Sequence, residues 1–407
     1  MKISKCRSCQ GTKLVKCLDL GKQALTGIFP SNKNQKISFG NLCLVFCKKC
    51  TLLQLSENFN PNEMYGINYG YKSSLNPTMV SHLKAKANKL QEMAHLLSGD
   101  AVVDIGSNDG TFLSFFNKKY KLIGVDPTIS KFKKDYEKHI IQIEDFFSGS
   151  VLSKHLVKRK AKLITSISMF YDLENPLSFA KEVYNNLDKE GLWHLEQSYM
   201  PSMIKNISYD TICHEHLEYY SLKSIKYILD RANFKIIDIQ LNKVNGGSFS
   251  LTVAKKDSKK FHKSKLINWL LKKEEVFKFN NVNTIMSFAK DVYKHKKLFR
   301  DLILTLNKMG KKVIGYGAST KGNVILQFCK IDQKMLSHIV DINPDKRNKY
   351  TPGSKIKIIN EKDLEKIKFD YMVVLPWHFR DFVINKEKNN SKKGCKLIFP
   401  LPDIEII

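Results

Sequence analysis

Along the middle of the chain, apolar positions alternate between two spacings. AVVDIGSNDGTFLSFF (101–116) opens on an apolar run that reaches Asp104, passes through a turn holding Gly106, Ser107, Asn108, Asp109 and Gly110, and resumes with Leu113 and Phe116 at a helical interval. That is a strand, a glycine turn and a helix start. KLIGVDP ends a second run on Asp126, IEDFF places Asp145 just past a third, and AKLITSISMFYDLENP carries a fourth into Met169, Phe170 and Tyr171. GLWHLEQSY reads as a strand, SLKSIKYILDRAN as a helix and FKIIDIQ as a strand. SFSLTVAK, after Gly246 and Gly247, can fold back as an antiparallel last strand. The pattern predicts an α/β domain around a Rossmann-like sheet.

The strand, glycine loop and helix return near the C-terminus. In VIGYGASTKGNVIL, Gly315, Gly317 and Gly322 leave the backbone bare, and Ser319, Thr320 and Lys321 are available to a phosphate at a helix start. A second strand ends on Asp341 in HIVDINP. This unit either holds the diphosphate of a substrate or binds nothing and buttresses the rest. Between the two units, residues 255–310 carry lysine clusters such as KKFHKSK on a helical period, which reads as a helical linker with a solvated face.

Composition narrows the function classes. At 407 residues and 43% apolar content the chain can bury several cores. No run approaches the roughly 20 apolar residues of a membrane span, and MKISKCRSCQ lacks the apolar middle of a signal peptide, so a soluble, cytoplasmic protein is expected. The net charge of +29 comes almost wholly from lysine scattered over every segment; arginine occurs only at positions 7, 159, 231, 300, 347 and 380. A lysine-rich surface draws an anionic substrate, but without aromatic interleaving it is a poor nucleic-acid footprint.

The cysteines change the picture at the N-terminus. CRSC (Cys6, Cys9) and CKKC (Cys47, Cys50) share the C-x2-C spacing that turns two thiolates toward one ion, and together they supply a tetrahedral structural zinc site. Cys43 is a substitute ligand candidate and Cys17 reads as a small buried residue.

The first glycine loop suggests its own cofactor. Asp126, at the end of the second strand, can accept both hydroxyls of a ribose, Asp145 can meet an adenine amino group, and Asp104, Gly106, Ser107, Asn108 and Met169 surround the same strand ends. GSNDG puts the acidic Asp109 where a dinucleotide's phosphates would sit. S-adenosylmethionine, with a sulfonium, an amino-acid tail and no phosphate, fits better than a nicotinamide dinucleotide.

VVDIGSNDGTFL, LEQSYMPSM, DTICHEHLEYYS and VNGGSFS, preceded by the two cysteine knuckles, resemble the sugar C-methyltransferase family, and GYGASTKGNVIL, VDINPDKRNKYTPGSKI and LPWHF resemble its C-terminal domain. The resemblance implies the seven-strand plan of class I methyltransferases over 66–255, a zinc-binding domain over 1–65 and a linker with a Rossmann-like substrate domain over 256–407. It further implies methyl transfer from S-adenosylmethionine to a ring carbon of a nucleotide-linked ketosugar, with the Glu-His pair of HEH acting in deprotonation. An aromatic hydroxyl often precedes HEH in this family, whereas this chain has Cys213; Tyr69, Tyr71 or Tyr171 can supply that hydroxyl instead.

Carbon methylation requires the carbon beside a carbonyl to lose a proton, and an imidazole suits that task. His216 is the expected base, Glu215 orients a neighbour or holds a sugar hydroxyl, and His214 donates to the enolate oxygen. Adjacent residues point to opposite sides of an extended chain, so HEH is expected on an irregular loop. Packing or metal binding by His214 and His216 is the competing reading. Trp377 and His378 read equally as packing or substrate contact, and the backbone at Gly247 as a turn or an approach for the sugar. O- or N-methylation of a related nucleotide sugar, and non-catalytic nucleic-acid binding through the zinc knuckles, are the alternative functions.

Overall fold

The computed structural model describes residues 1–65, 69–156, 159–392 and 394–407, and it contains three sheets. The central sheet follows from the apolar runs read above. Strands β4 (Ala101–Ile105), β5 (Lys121–Val125), β6 (Ile141–Ile143), β7 (Ala161–Ile167) and β8 (Leu187–Ser198) are parallel. β11 (Ser248–Lys255) joins β8 antiparallel and β10 (Phe234–Asn242) closes the edge, giving the order β10-β11-β8-β7-β4-β5-β6. This is the class I methyltransferase form of the Rossmann-like fold. Every residue of β4 is buried, as a central strand covered on both faces requires.

A helix over Pro77–Ala94 covers one face. Asn76 caps it by accepting from Thr78 N and Met79 N, Pro77 sits in the first turn, and His95 ends it in the left-handed region (φ 48°). Its apolar stripe, Met79, Leu83, Ala87, Leu90 and Ala94, is buried, each large aliphatic side chain contributing about 1.5–3 kcal/mol.

The N-terminal sheet is antiparallel: β1 (Leu14–Ala24), β2 (Phe39–Cys47) and β3 (Leu53–Leu55). Its fourth strand is borrowed. β9 (Glu218–Tyr219), immediately after HEH, pairs with β3 through Leu53↔Tyr219 and Gln54↔Glu218. The C-terminal sheet, in the order β14-β13-β12-β15-β16-β17, contains β12 (Val313–Tyr316), β13 (His338–Asp341), β14 (Lys357–Asn360), β15 (Tyr371–Val374) and β16 (Lys396–Phe399), all parallel, and an antiparallel β17 (Glu405–Ile406).

The segment expected as a linker forms helices over Leu266–Val276 and Val282–Lys308. The longer one is more than a linker. Its Ile285, Phe288, Val292, Phe299 and Ile303 are buried in a single core that runs from the N-terminal sheet through Tyr209, Ile212, Cys213 and Leu217 into the C-terminal sheet. That shared core places Cys213 and Leu217, which flank HEH, between the N-terminal and C-terminal sheets.

Candidate active site

A cavity of about 330 Å³ opens at the C-terminal ends of β4, β5 and β7. Gly106 leaves β4 at φ 79°, and a Cβ there would press on Met169, which lines the same cavity. The Asp104 carboxyl accepts from Thr165 Oγ1 (2.6 Å), and burial raises its pKa to about 7. Asp126 Oδ2 accepts from Asn108 N (2.9 Å) and Oδ1 from Thr128 N (2.7 Å), so this carboxylate shapes the loop while facing the cavity. Asp145 is exposed at the rim, where Oδ1 accepts from Phe146 N (2.7 Å), and Ser107 Oγ pairs with Tyr136 OH (2.8 Å).

Two loop residues do different work from that expected. Asn108 Oδ1 accepts from Ser73 N (3.0 Å), and its amide donates to the Tyr71 carbonyl (3.3 Å). Asp109 does not occupy a phosphate position: Oδ2 accepts from Ser74 N (2.9 Å) and Oδ1 from Thr111 Oγ1 (2.7 Å). Together they clamp the segment 71–74 beside the cavity, which Tyr71 and Ser73 line. The described lining includes Asp104, Asp126 and Asp145 but no lysine or arginine, an arrangement that suits a cationic cofactor and repels phosphates.

The HEH loop lies between the short turn Tyr209–Thr211 and β9, and its side chains diverge. His214 is fully buried toward the N-terminal sheet, with Nδ1 3.5 Å from Thr26 Oγ1, Nε2 3.4 Å from the Gly40 carbonyl and its ring edge-on to Phe59. The expected donor to an enolate is therefore a strut, because its polar atoms face another domain. Glu215 is also buried; Thr26 Oγ1 donates to Oε2 (3.5 Å), and Oε1 occupies the space that a side chain on Gly27 would need. Burial raises its pKa.

His216 is the one that remains half-buried, its ring centroid 4.1 Å from that of Tyr171. Its Nδ1 lies 2.8 Å from the Thr211 carbonyl, which can only accept, so Nδ1 carries the proton and Nε2 keeps a lone pair. Burial, and then the Lys321 cation, lower its pKa to about 3, leaving a neutral imidazole. None of the three lines the cavity. Their neighbours Asp172 and Leu217 do, so the loop borders the cavity wall.

Asp172 is the residue that the sequence reading missed. Tyr65 OH donates to Oδ2 (2.7 Å), Oδ1 is buried with no protein partner among the described residues, and burial holds the carboxyl well above the usual range. The apolar run into Tyr171 stops one position short of it, and its partner Tyr65 lies a hundred residues earlier, so no local signal joins them.

In the N-terminal knuckles the sulfurs of Cys6, Cys9, Cys47 and Cys50 all lie within 4.8 Å of one another. Four buried thiols converging on one point fit a closed tetrahedral ion site, and Gln54 Nε2, donating to Cys6 Sγ (3.2 Å), supplies an outer hydrogen bond. Cys43 and Cys17 are buried outside this group.

The C-terminal loop is filled by the chain itself. Ser319 Oγ caps its own helix, Thr320–Phe328, by accepting from Gly322 N (3.0 Å), and Lys321 Nζ donates to the Asn245 carbonyl (2.7 Å). Asp341 accepts from Ala318 N (2.7 Å) and Asn343 N (2.8 Å), with Lys346 Nζ 3.7 Å away. At Gly317 (φ 81°) a Cβ would lie 2.5 Å from Pro376 Cδ. The donors and the space expected to serve a phosphate at Gly317, Ser319, Lys321 and Asp341 are thus engaged by the chain's own groups. At Gly247 a Cβ would stand 2.5 Å from Ser202 Cβ, so the bare backbone there is packed against Ser202.

Comparison with known proteins joins these parts. Residues 6–65 match a zinc binding domain, 79–239 a methyltransferase domain and 243–402 the C-methyltransferase C-terminal domain. The chain is also 25% identical over 410 residues to the C-methyltransferase NovU of Streptomyces niveus, covering 100% of this chain and 97% of that protein. Part by part and along its whole length, the chain is similar to a C-methyltransferase.

Two solved methyltransferase structures match over less than half of the chain. An S-adenosylmethionine-dependent methyltransferase from Clostridium acetobutylicum ATCC 824 is 13% identical, covering 43% of this chain and 91% of its own, with a TM-score of 0.33. The plantazolicin methyltransferase BamL is 12% identical, covering 44% and 87%, with a TM-score of 0.36; these scores are too low to bear on the site. As a C-methyltransferase the chain is an S-adenosylmethionine-dependent enzyme with a zinc-binding domain, which removes the non-catalytic reading. No described helix is long and apolar enough to cross a membrane.

Proposed function

We propose that this C-methyltransferase methylates the carbon beside the ketone of a nucleotide-linked sugar, with His216 removing the proton. Residues 1–65, 66–255 and 256–407 act as the zinc-binding, cofactor-binding and substrate-facing parts. The observation that carries the reading is the contact of His216 Nδ1 with the Thr211 carbonyl, 2.8 Å: a carbonyl only accepts, so a neutral imidazole held there keeps its proton on Nδ1 and offers Nε2 as acceptor, on the loop beside the wall of the cofactor cavity.

S-adenosylmethionine, when bound, supplies the electrophilic methyl group. Asp104, Gly106, Asp126, Asp145 and Met169 hold it, the acidic side chains favouring its cationic groups. Asp172 takes over the donor role first expected of His214. Burial favours the protonated form of its carboxyl, and its buried Oδ1, which no described group satisfies, can donate to a substrate carbonyl oxygen whose negative charge grows as the proton leaves. Tyr65 orients that carboxyl, and Glu215 holds the loop to Thr26. A base of low pKa removes a carbon-bound proton only if the resulting anion is stabilised at once, so His216 and Asp172 act as a pair. The lysine-rich surface favours the anionic nucleotide part of such a substrate.

The test is a panel of nucleotide-linked ketosugars incubated with isotope-labelled S-adenosylmethionine, followed by NMR of the product. A labelled methyl on the carbon beside the carbonyl is expected. Label on oxygen or nitrogen would replace the carbon acceptor.

A further inference from the structure

LPWHF, readable from sequence as either packing or substrate contact, reaches the turn that orients His216. Trp377 Nε1 donates to Asp210 Oδ2 at 2.8 Å, and Asp210 is 0% exposed. Its other oxygen has no protein partner among the described residues. Asp210 is the middle residue of the turn Tyr209–Thr211, and Tyr209 is gripped from the same side: its hydroxyl is 3.1 Å from His295 Nδ1 and 3.3 Å from Cys329 Sγ. The third residue, Thr211, presents the carbonyl that holds His216 Nδ1 at 2.8 Å. Burial raises the pKa of Asp210, and the charge of nearby Lys321, whose Nζ is anchored on the Asn245 carbonyl, opposes that shift.

Burying a carboxyl to hold two domains together is a costly device, because an apolar contact of the same size serves at least as well for stability. What the indole–carboxyl bond adds is direction, applied one residue before the carbonyl that selects the imidazole tautomer. We infer that Asp210 and Trp377 are positioning residues for His216, through which the C-terminal domain fixes the Thr211 carbonyl and keeps the proton of the base on Nδ1. The inference rests on His216 being the base. With the carbonyl released, the ring can rotate or carry its proton on Nε2, which leaves no lone pair where one is needed.

The test uses the full chain with zinc bound and histidine labelled with nitrogen-15, the His216 signals being identified by their loss in His216→Gln. Wild type should show the Nδ1–H tautomer. Trp377→Phe keeps a ring against Gly246 but removes the N–H; it should mix the two tautomers and slow methyl transfer about tenfold or more, below the roughly 10²–10⁴ of losing a base, with unchanged S-adenosylmethionine affinity. Asp210→Asn, which retains an acceptor, should behave like wild type, and Asp210→Ala like Trp377→Phe. An unchanged His216 spectrum in both Trp377→Phe and Asp210→Ala overturns the inference, as does failure of both to fold, which would assign the pair to stability alone. The spectrum needs no substrate. If no ketosugar is methylated, the proposed function fails while the tautomer result still decides this point.

Discussion

The two strand–glycine loop–helix units are built alike and used differently. In each, a glycine leaves the first strand in the left-handed region, Gly106 at φ 79° and Gly317 at φ 81°. In each, an aspartate ending the next strand accepts from a loop N–H and from the residue two positions on: Asp126 from Asn108 and Thr128, Asp341 from Ala318 and Asn343. The central loop then opens on a cavity. The C-terminal loop is plugged by Pro376 and by Lys346, whose Nζ also donates to the Ala318 carbonyl at 2.7 Å. A glycine loop between strand and helix thus states how a backbone turns, and side chains from distant segments decide whether anything can bind there.

The largest effect that would break this contrast is at the glycines. Gly317→Val forces a β-branched residue into positive φ and against Pro376, which together cost about 3 kcal/mol or more. Denaturant melting should show that loss, while the folded fraction binds S-adenosylmethionine normally. A weakened cofactor site in the folded fraction would mean the two loops are not independent.

The paired aspartates sharpen it. Asp126→Ala removes a carboxylate that holds two loop N–H groups beside the cavity, and S-adenosylmethionine affinity should fall by roughly tenfold to a hundredfold, following about 1.5–3 kcal/mol for charge-assisted hydrogen bonds. Asp341→Ala should lower stability by a similar energy and leave cofactor calorimetry unchanged.

A smaller effect separates the units by pH. Burial places the free-protein pKa of Asp104 at about 7, above the ordinary carboxyl value, so the site is half-protonated near neutrality. A cationic cofactor favours the ionised form; its affinity should therefore rise as pH increases through about 7 and weaken several-fold on acidification, by linkage. Asp104→Asn should flatten that profile. For folding alone the sign reverses: the raised pKa favours the folded state at low pH and costs stability as pH climbs through 7. Half-buried His216 and buried His214 act oppositely, since their pKa values fall to about 3 and about 4, and keeping them neutral costs stability as pH drops below 6.5.

Much of this was legible from local pattern. The strand–loop–helix alternation, the glycine turn at 106 and the convergence of four cysteines follow from spacing. The seven-strand plan is implied by the family resemblance, and the HEH side chains, expected to serve one pocket, diverge. What was not legible depends on partners far along the chain. β9 is two residues long and acquires meaning only by pairing with β3, more than 160 positions earlier. Asp109 carries the charge that the cofactor argument used, yet its side chain turns to Ser74. The GASTK loop has every residue a phosphate site needs, and only Pro376 and Lys346 show why it is filled.

The account stands most directly on proton removal by His216, and one measurement isolates that step from methyl transfer. The methylated ketosugar's precursor is held in D₂O with enzyme and S-adenosylhomocysteine, and the proton beside the carbonyl is followed by NMR. Wild type should exchange it for deuterium, and His216→Gln should do so slower by roughly 10²–10⁴ at unchanged cofactor affinity. Undiminished exchange in the variant, or no exchange in a wild type that methylates the same sugar, would contradict the account.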